Sequence, residues 1–181
     1  MKSLMAIFSL FLTLSIQSAF AYEGDCVRIN LEKLKIERRS LTDTYQLTDG
    51  KKVFHTFRLE MNARRILRAM QNLDMSQQCY LDREEKVFPF YLTTFGHPPS
   101  GVGSSVERCD EFGNDFETRM VRRWFRTRYL LEVTGIEGKT LELGVFVNQE
   151  DAYKAQGLID YHGFTEICYD NQRNPDFTYF K

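Results

Sequence analysis

Apolar and polar positions along this chain form a block that is written twice. Thr44 to Leu47 and Val53 to Leu59 flank Asp49-Gly50, and a glycine after aspartate supplies the positive φ that a tight turn requires, so this stretch predicts a hairpin. Asn62 follows as the expected cap of a helix whose apolar positions Ala63, Ile66, Leu67, Met70 and Leu73 fall on one face, with Arg64, Arg65 and Arg68 outside. Further on, Glu137-Gly138-Lys139 matches Asp49-Gly50-Lys51, and Leu141 to Val147 matches the run from Val53. Asn148 is the second cap, with Asp151 three residues on. Ala152, Ala155, Leu158 and Ile159 form the second buried stripe, and Gly163 is its stop.

After each helix comes a cysteine–tyrosine pair, Cys79-Tyr80 and Cys168-Tyr169, and then aromatics in the same register, Phe88-Pro89-Phe90-Tyr91 against Phe177-Thr178-Tyr179-Phe180. Self-similarity of this kind implies duplicated units. The expected class is α+β: two tandem disulfide-stapled repeats, each a ββαββ-like small sheet with one packed helix. Their expected bounds are 22–92 and 107–181, joined by residues 93–106, where Thr93 to Ser105 holds two prolines and three glycines and reads as a linker or exposed loop.

Residues 1–21 follow a different pattern. Lys2 precedes an apolar run from Leu4 to Ile16, and Ala19-Phe20-Ala21 is the small-x-small signature of a cleaved secretory signal. That run is shorter than the ~20 residues a membrane span needs, and no lipobox precedes Cys26. The mature chain is therefore expected to carry no membrane span and to be exported, either periplasmic or secreted.

Export changes how the cysteines read. Cys26, Cys79, Cys109 and Cys168 are even in number, with no Cys-x-x-Cys pair and no histidine at ligand spacing, which favours two disulfides over a metal site in an oxidising compartment. Three pairings are open to four cysteines. If the halves are duplicates, the simplest is within each half, Cys26–Cys79 and Cys109–Cys168. Units of about 70 residues commonly need such staples, and closing a loop of ~50–60 residues contributes roughly 3–4 kcal/mol.

Composition adds little about a partner until it is read locally. The chain has 24 basic and 25 acidic residues with 43% hydrophobic content, so it is neither disordered nor a polyanion binder as a whole. Arg119 to Tyr129 is the exception: Arg119, Arg122, Arg123, Arg126 and Arg128 surround the single tryptophan, Trp124. Phe116, Met120 and Trp124 recur every four residues, which suggests a helix passing into a strand at Tyr129 to Val133. Arginine beside aromatics suits an anionic or sugar-like ligand through bidentate contacts and stacking. The competing reading makes Trp124 core and pairs the arginines with Asp110, Glu111, Asp115 and Glu117. Nucleic acid would use the same chemistry, but export makes it no partner.

Catalytic constellations are absent from the sequence. No Gly-x-Ser-x-Gly, His-Glu-x-x-His or phosphate-cradling loop occurs, and no cofactor or metal is implied. His55 and His162 read as structural, and His97, in the Pro/Gly loop, as accessible. Asp82, Glu84 and Glu85 cluster at one turn and read as solvated surface.

Two resemblances bear on function. Cys26 to Ile36 with Asp49-Gly50 and Cys79, and more closely Cys168, Arg173, Pro175 and Tyr179, resemble a cysteine-containing repeat of secreted bacterial proteins ending in Cys-Phe-Val-Gly-Arg-Pro, which implies fold and disulfides but no activity. Leu143 to Ala152, ending at His162-Gly163-Phe164, is similar to one βαβ half of the SPOR domain, whose members bind peptidoglycan glycan strands. The expectation is an exported, non-enzymatic binding module of the cell envelope whose partner is peptidoglycan or another envelope polysaccharide. The alternatives are a module that binds or inhibits an envelope protein, and an uncharacterised hydrolase.

Overall fold

The computed structural model describes residues 25–104, 107–123, 126–170 and 175–181, the side chain of Arg123 excepted. The expected leader, Trp124 and Arg173 lie outside the described residues. The first half runs β1 (Asp25–Arg28), β2 (Lys35–Arg39), β3 (Thr44–Thr48), β4 (Val53–Phe57), α1 (Glu60–Asn72), β5 (Gln77–Tyr80) and β6 (Phe90–Leu92). The second runs β7 (Arg108–Arg123), β8 (Arg126–Gly135), β9 (Thr140–Phe146), α2 (Gln149–His162), β10 (Glu166–Tyr169) and β11 (Thr178–Phe180). The class is α+β, and each strand pairing among the named elements is antiparallel.

In the second half one sheet has the order β11-β10-β7-β8-β9, and in the first half two sheets have the orders β1-β5-β6 and β2-β3-β4. The start of β7 pairs with β10 and the remainder with β8, so β7 does alone what β1 and β2 do together. A strand thus precedes each hairpin, and the order in each half is longer than the expected ββαββ. The chain leaves β1 at Ile29, whose amide donates to Ser76 O, and turns through Asn30 to Leu34 before β2 begins.

The hairpin at Asp49-Gly50 forms as expected. Gly50 has φ +86°, and the Asp49 carboxylate accepts from the amides of Lys51 and Lys52, which holds its pKa below the ordinary value against the opposing effect of burial. Asn148 caps α2 by accepting from the Asp151 amide at 2.8 Å, and Gly163 ends it in the left-handed conformation at φ +70°.

Asn62 does not cap α1. That helix starts at Glu60 behind Leu59, which has no side-chain oxygen to offer. Asn62 is instead buried, and its amide donates to Asp176 Oδ2 at 3.2 Å. Both disulfides form within their halves. Cys26 lies directly opposite Cys79 on β1 and β5, and Cys109 opposite Cys168 on β7 and β10.

The two cores are not private to their halves. Leu47, Phe57, Ala63, Ile66 and Met70 bury one face of α1 against β3 and β4, and Phe177 and Tyr179 from the second half complete that cluster. Leu131, Val133, Leu143, Ala155 and Leu158 form the core under α2, completed by Phe88, Phe90 and Leu92 from the first half. Alternation along a strand makes this possible. On β6, Phe90 and Leu92 face one cluster while Tyr91 faces the other, and on β11 Tyr179 and Phe180 divide likewise.

The Pro/Gly segment is correspondingly packed. Pro99 and Gly103 are buried, and a Cβ on Gly103 would stand 2.9 Å from both Leu73 Cδ1 and the Tyr179 hydroxyl. Glu107 accepts from the Gly103 amide at 2.6 Å and from the Tyr179 hydroxyl, and pairs with Lys181 at 3.1 Å with both side chains almost fully covered.

Candidate functional site

The arginine-rich segment is a β-hairpin. Residues 119–123 are the end of β7, and Arg126 to Tyr129 begin β8, so the helix expected from the Phe116–Met120–Trp124 spacing does not form. Val121, Thr118, Thr127 and Tyr129 are strand-favouring residues, and the pairing continues without a break from Phe116↔Val133 to Arg123↔Arg126.

That register sorts the arginines. Directly opposed residues share a face of the sheet. Arg119 opposes Leu130, Arg128 opposes Val121, and Arg126 opposes Arg123, which puts Arg119, Arg126 and Arg128 on one face. Arg122 opposes Thr127 on the other face, beside Met120, which is 68% exposed.

Arg119 forms a bidentate pair with Glu132, at 2.9 Å from Nε and 3.1 Å from the terminal nitrogen, and this hydrogen bonding raises its pKa above the ordinary value. Arg128 donates to Thr127 O at 3.0 Å. Among the described residues no carboxylate pairs with Arg122, Arg126 or Arg128, and none of Asp110, Glu111, Asp115 and Glu117 pairs with an arginine of the segment. Its cations therefore stand in excess over the anions around them.

The histidines separate into two settings. His55 Nε2 is 2.6 Å from Asp176 O, and its ring lies against Phe57 and Phe177. Burial lowers its pKa, in keeping with a neutral imidazole donating to that carbonyl. His97, from the Pro/Gly segment, and His162, from the end of α2, line a cavity of about 640 Å³ with Gln77, Phe95 and Tyr161. The meeting of His97 with His162 was not legible in the sequence, because it depends on how α2 docks beside the 93–98 loop.

Metal chemistry finds little to use. Among the described residues, Glu107, Cys109 and Cys168 are the one group of three ligand types close together, and its two sulfurs are bonded to each other. Asp82, Glu84 and Glu85 sit at an exposed turn closed by the Asp82–Val87 bridge.

The segment likened to half of a SPOR domain is β9–α2–β10. Those two strands lie in one sheet with β7 and β8 between them, and the chain of antiparallel pairings makes them antiparallel to each other. Comparison with protein-family models, with curated proteins and with solved structures finds no match. Among the described residues no helix is long and apolar enough to cross a membrane.

Proposed function

We propose that this chain is an exported, non-enzymatic binding module of the cell envelope whose β7–β8 hairpin holds an anionic envelope glycan, peptidoglycan being the preferred ligand. The observation that carries this reading is the set of arginines, Arg122, Arg126 and Arg128, that project from both faces of the hairpin without a carboxylate partner among the described residues. Like charges opposed on neighbouring strands oppose folding. Their concentration at one hairpin is explained by an anionic ligand that neutralises them. Glycan strands stripped of stem peptides offer lactyl carboxylates at regular spacing, which guanidinium groups bind bidentately.

Export is supported by two disulfides that join all four cysteines. The matched disulfide registers, and the place of β7 where the first half has β1 and β2, support an origin of the two halves by duplication of one disulfide-stapled unit. A protein partner is the second reading. It is favoured by Met120, an exposed apolar side chain set among arginines, a combination enriched where proteins dock.

Co-sedimentation with purified sacculi, native and peptide-stripped, tests the proposal. The oxidised mature chain pellets with the stripped glycan at low salt and is released as ionic strength rises. The Arg122→Gln/Arg126→Gln/Arg128→Gln variant, altered at three exposed or half-exposed positions, keeps the fold and stays in the supernatant. Failure of the unaltered chain to pellet with either preparation sinks the glycan reading.

A further inference from the structure

The first half is split where the second is continuous, and the split makes room for a ligand. With β2-β3-β4 detached from β1-β5-β6, the start of β4 comes up against β5, and Gln78 Nε2 lies 3.5 Å from Phe54 O. Between them is a cavity of about 440 Å³ lined by Phe54, Gln78 and Tyr80, with Lys52, Arg83 and Lys86 around it and no acidic residue in the lining. A neighbouring cavity of about 270 Å³ shares Phe54, Gln78, Tyr80 and Lys86 and adds Tyr91 and a carboxylate, Asp176, so the anionic end of a ligand belongs in the larger cavity, which has none. None of the three cations forms an ion pair with a described residue.

Gln78 is the telling residue. It is only 5% exposed, a burial at which polar side chains normally have their hydrogen bonds filled. Its amide group is hydrogen-bonded to the Tyr91 hydroxyl at 2.8 Å, while the Tyr80 hydroxyl, without a hydrogen-bond partner among the described residues, is not sealed from solvent and is open to the cleft. The residue before the cysteine in the second half is Ile167, 2% exposed, so an apolar side chain serves at the matching place. Packing therefore does not require an amide there.

The geometry points to a binding site for an anionic sugar in this cleft. A ring with hydroxyls matches the uncharged half of the lining: the Gln78 amide and the Tyr80 and Tyr91 hydroxyls bond to its hydroxyls, and the Phe54 and Tyr80 rings face its C–H groups. One negative substituent, carboxylate or phosphate, matches Arg83 and Lys86. The site lies on different elements from the arginine hairpin and stands or falls without it.

The test is a titration of the isotope-labelled, oxidised chain followed by amide NMR shifts, with glucuronate, glucose 1-phosphate, glucose and acetate as separate probes. At least one anionic sugar gives saturable shifts at Phe54, Gln78 and Lys86, and which of the two binds more tightly identifies the charged group as carboxylate or phosphate. Loss of charge in Arg83→Gln/Lys86→Gln, both exposed positions, weakens that probe by about tenfold or more, while Arg122→Gln/Arg126→Gln leaves it unchanged. The assignment is overturned if neither anionic sugar gives saturable shifts there, if acetate reproduces them at equal concentration, or if the Arg83/Lys86 variant binds as the parent does.

Discussion

Asn62 and His55 both reach across the molecule to Asp176, one to its carboxylate and the other to its carbonyl, so a single residue of the second half fixes two side chains of the first. The imidazole pKa is lowered from 6.5, chiefly by desolvation, with the neighbouring Asp176 and Asp170 acting in the opposite direction. Above pH 6.5 both folded and unfolded chains hold the ring neutral. Below it the unfolded chain takes up a proton that the folded chain refuses until the pH reaches the lower folded value, so stability declines through that window. Denaturant unfolding between pH 5 and 8 should show this decline in the parent and a flatter profile in His55→Gln. Equal pH slopes in the two proteins would exclude the coupling.

At the scale of elements, the two helices differ in how they begin. α2 has Asn148 as its cap, and α1 has only Leu59, which is 54% exposed and whose carbonyl accepts from the Ala63 amide while its side chain caps nothing. Removing the cap in Asn148→Ala should cost about 1 kcal/mol, and supplying one in Leu59→Asp should stabilise by a similar ~0.5–2 kcal/mol, since little apolar burial is lost. Opposite shifts in the denaturation midpoint check the pair; a destabilised Leu59→Asp would mean that Leu59 packing outweighs the cap.

The same elements show what was legible in the sequence. The hairpins at Gly50 and Gly138, both helices, their buried stripes and the stop at Gly163 all follow from spacing and local chemistry, which is information a short window carries. The arginine segment misled because a spacing of four suits two structures: it returns to one face of a helix and, being even, to one face of a strand. Strand pairing decided the matter. The arginines were visible as a composition, but the separation of Arg122 from Arg119, Arg126 and Arg128 is a property of register with β8. Asn62 likewise looks like a cap in isolation, and its burial against Asp176 comes from a residue 114 positions away. Gln78 carries no sequence signal beyond being polar in a strand, because its significance lies in the cleft that β4 closes over it.

At the scale of the whole molecule, the exchange of aromatic side chains between cores decides how the protein folds. The repeat implied two units, each with its own core and its own disulfide. Strands β6 and β11 each present one face to their own half and one to the other, so each core lacks part of its lining when its partner is removed. Phe88, Phe90, Leu92, Phe177 and Tyr179 are each at most 8% exposed. At about 1.5–3 kcal/mol for each such burial, the exchanged contacts are comparable with the whole stability margin of a typical domain, ~5–15 kcal/mol. The disulfides do not compensate, since each constrains only the half that contains it. Residues 22–92 and 93–181 produced as separate oxidised fragments should therefore show no cooperative thermal transition, and should bind a hydrophobic dye that the full chain does not. Mixing them should restore near-ultraviolet dichroism and one transition, because the missing linings are then supplied in trans. A fragment that melts cooperatively on its own, near the midpoint of the full chain, would show that the exchanged aromatics are dispensable and that the two units are independent after all.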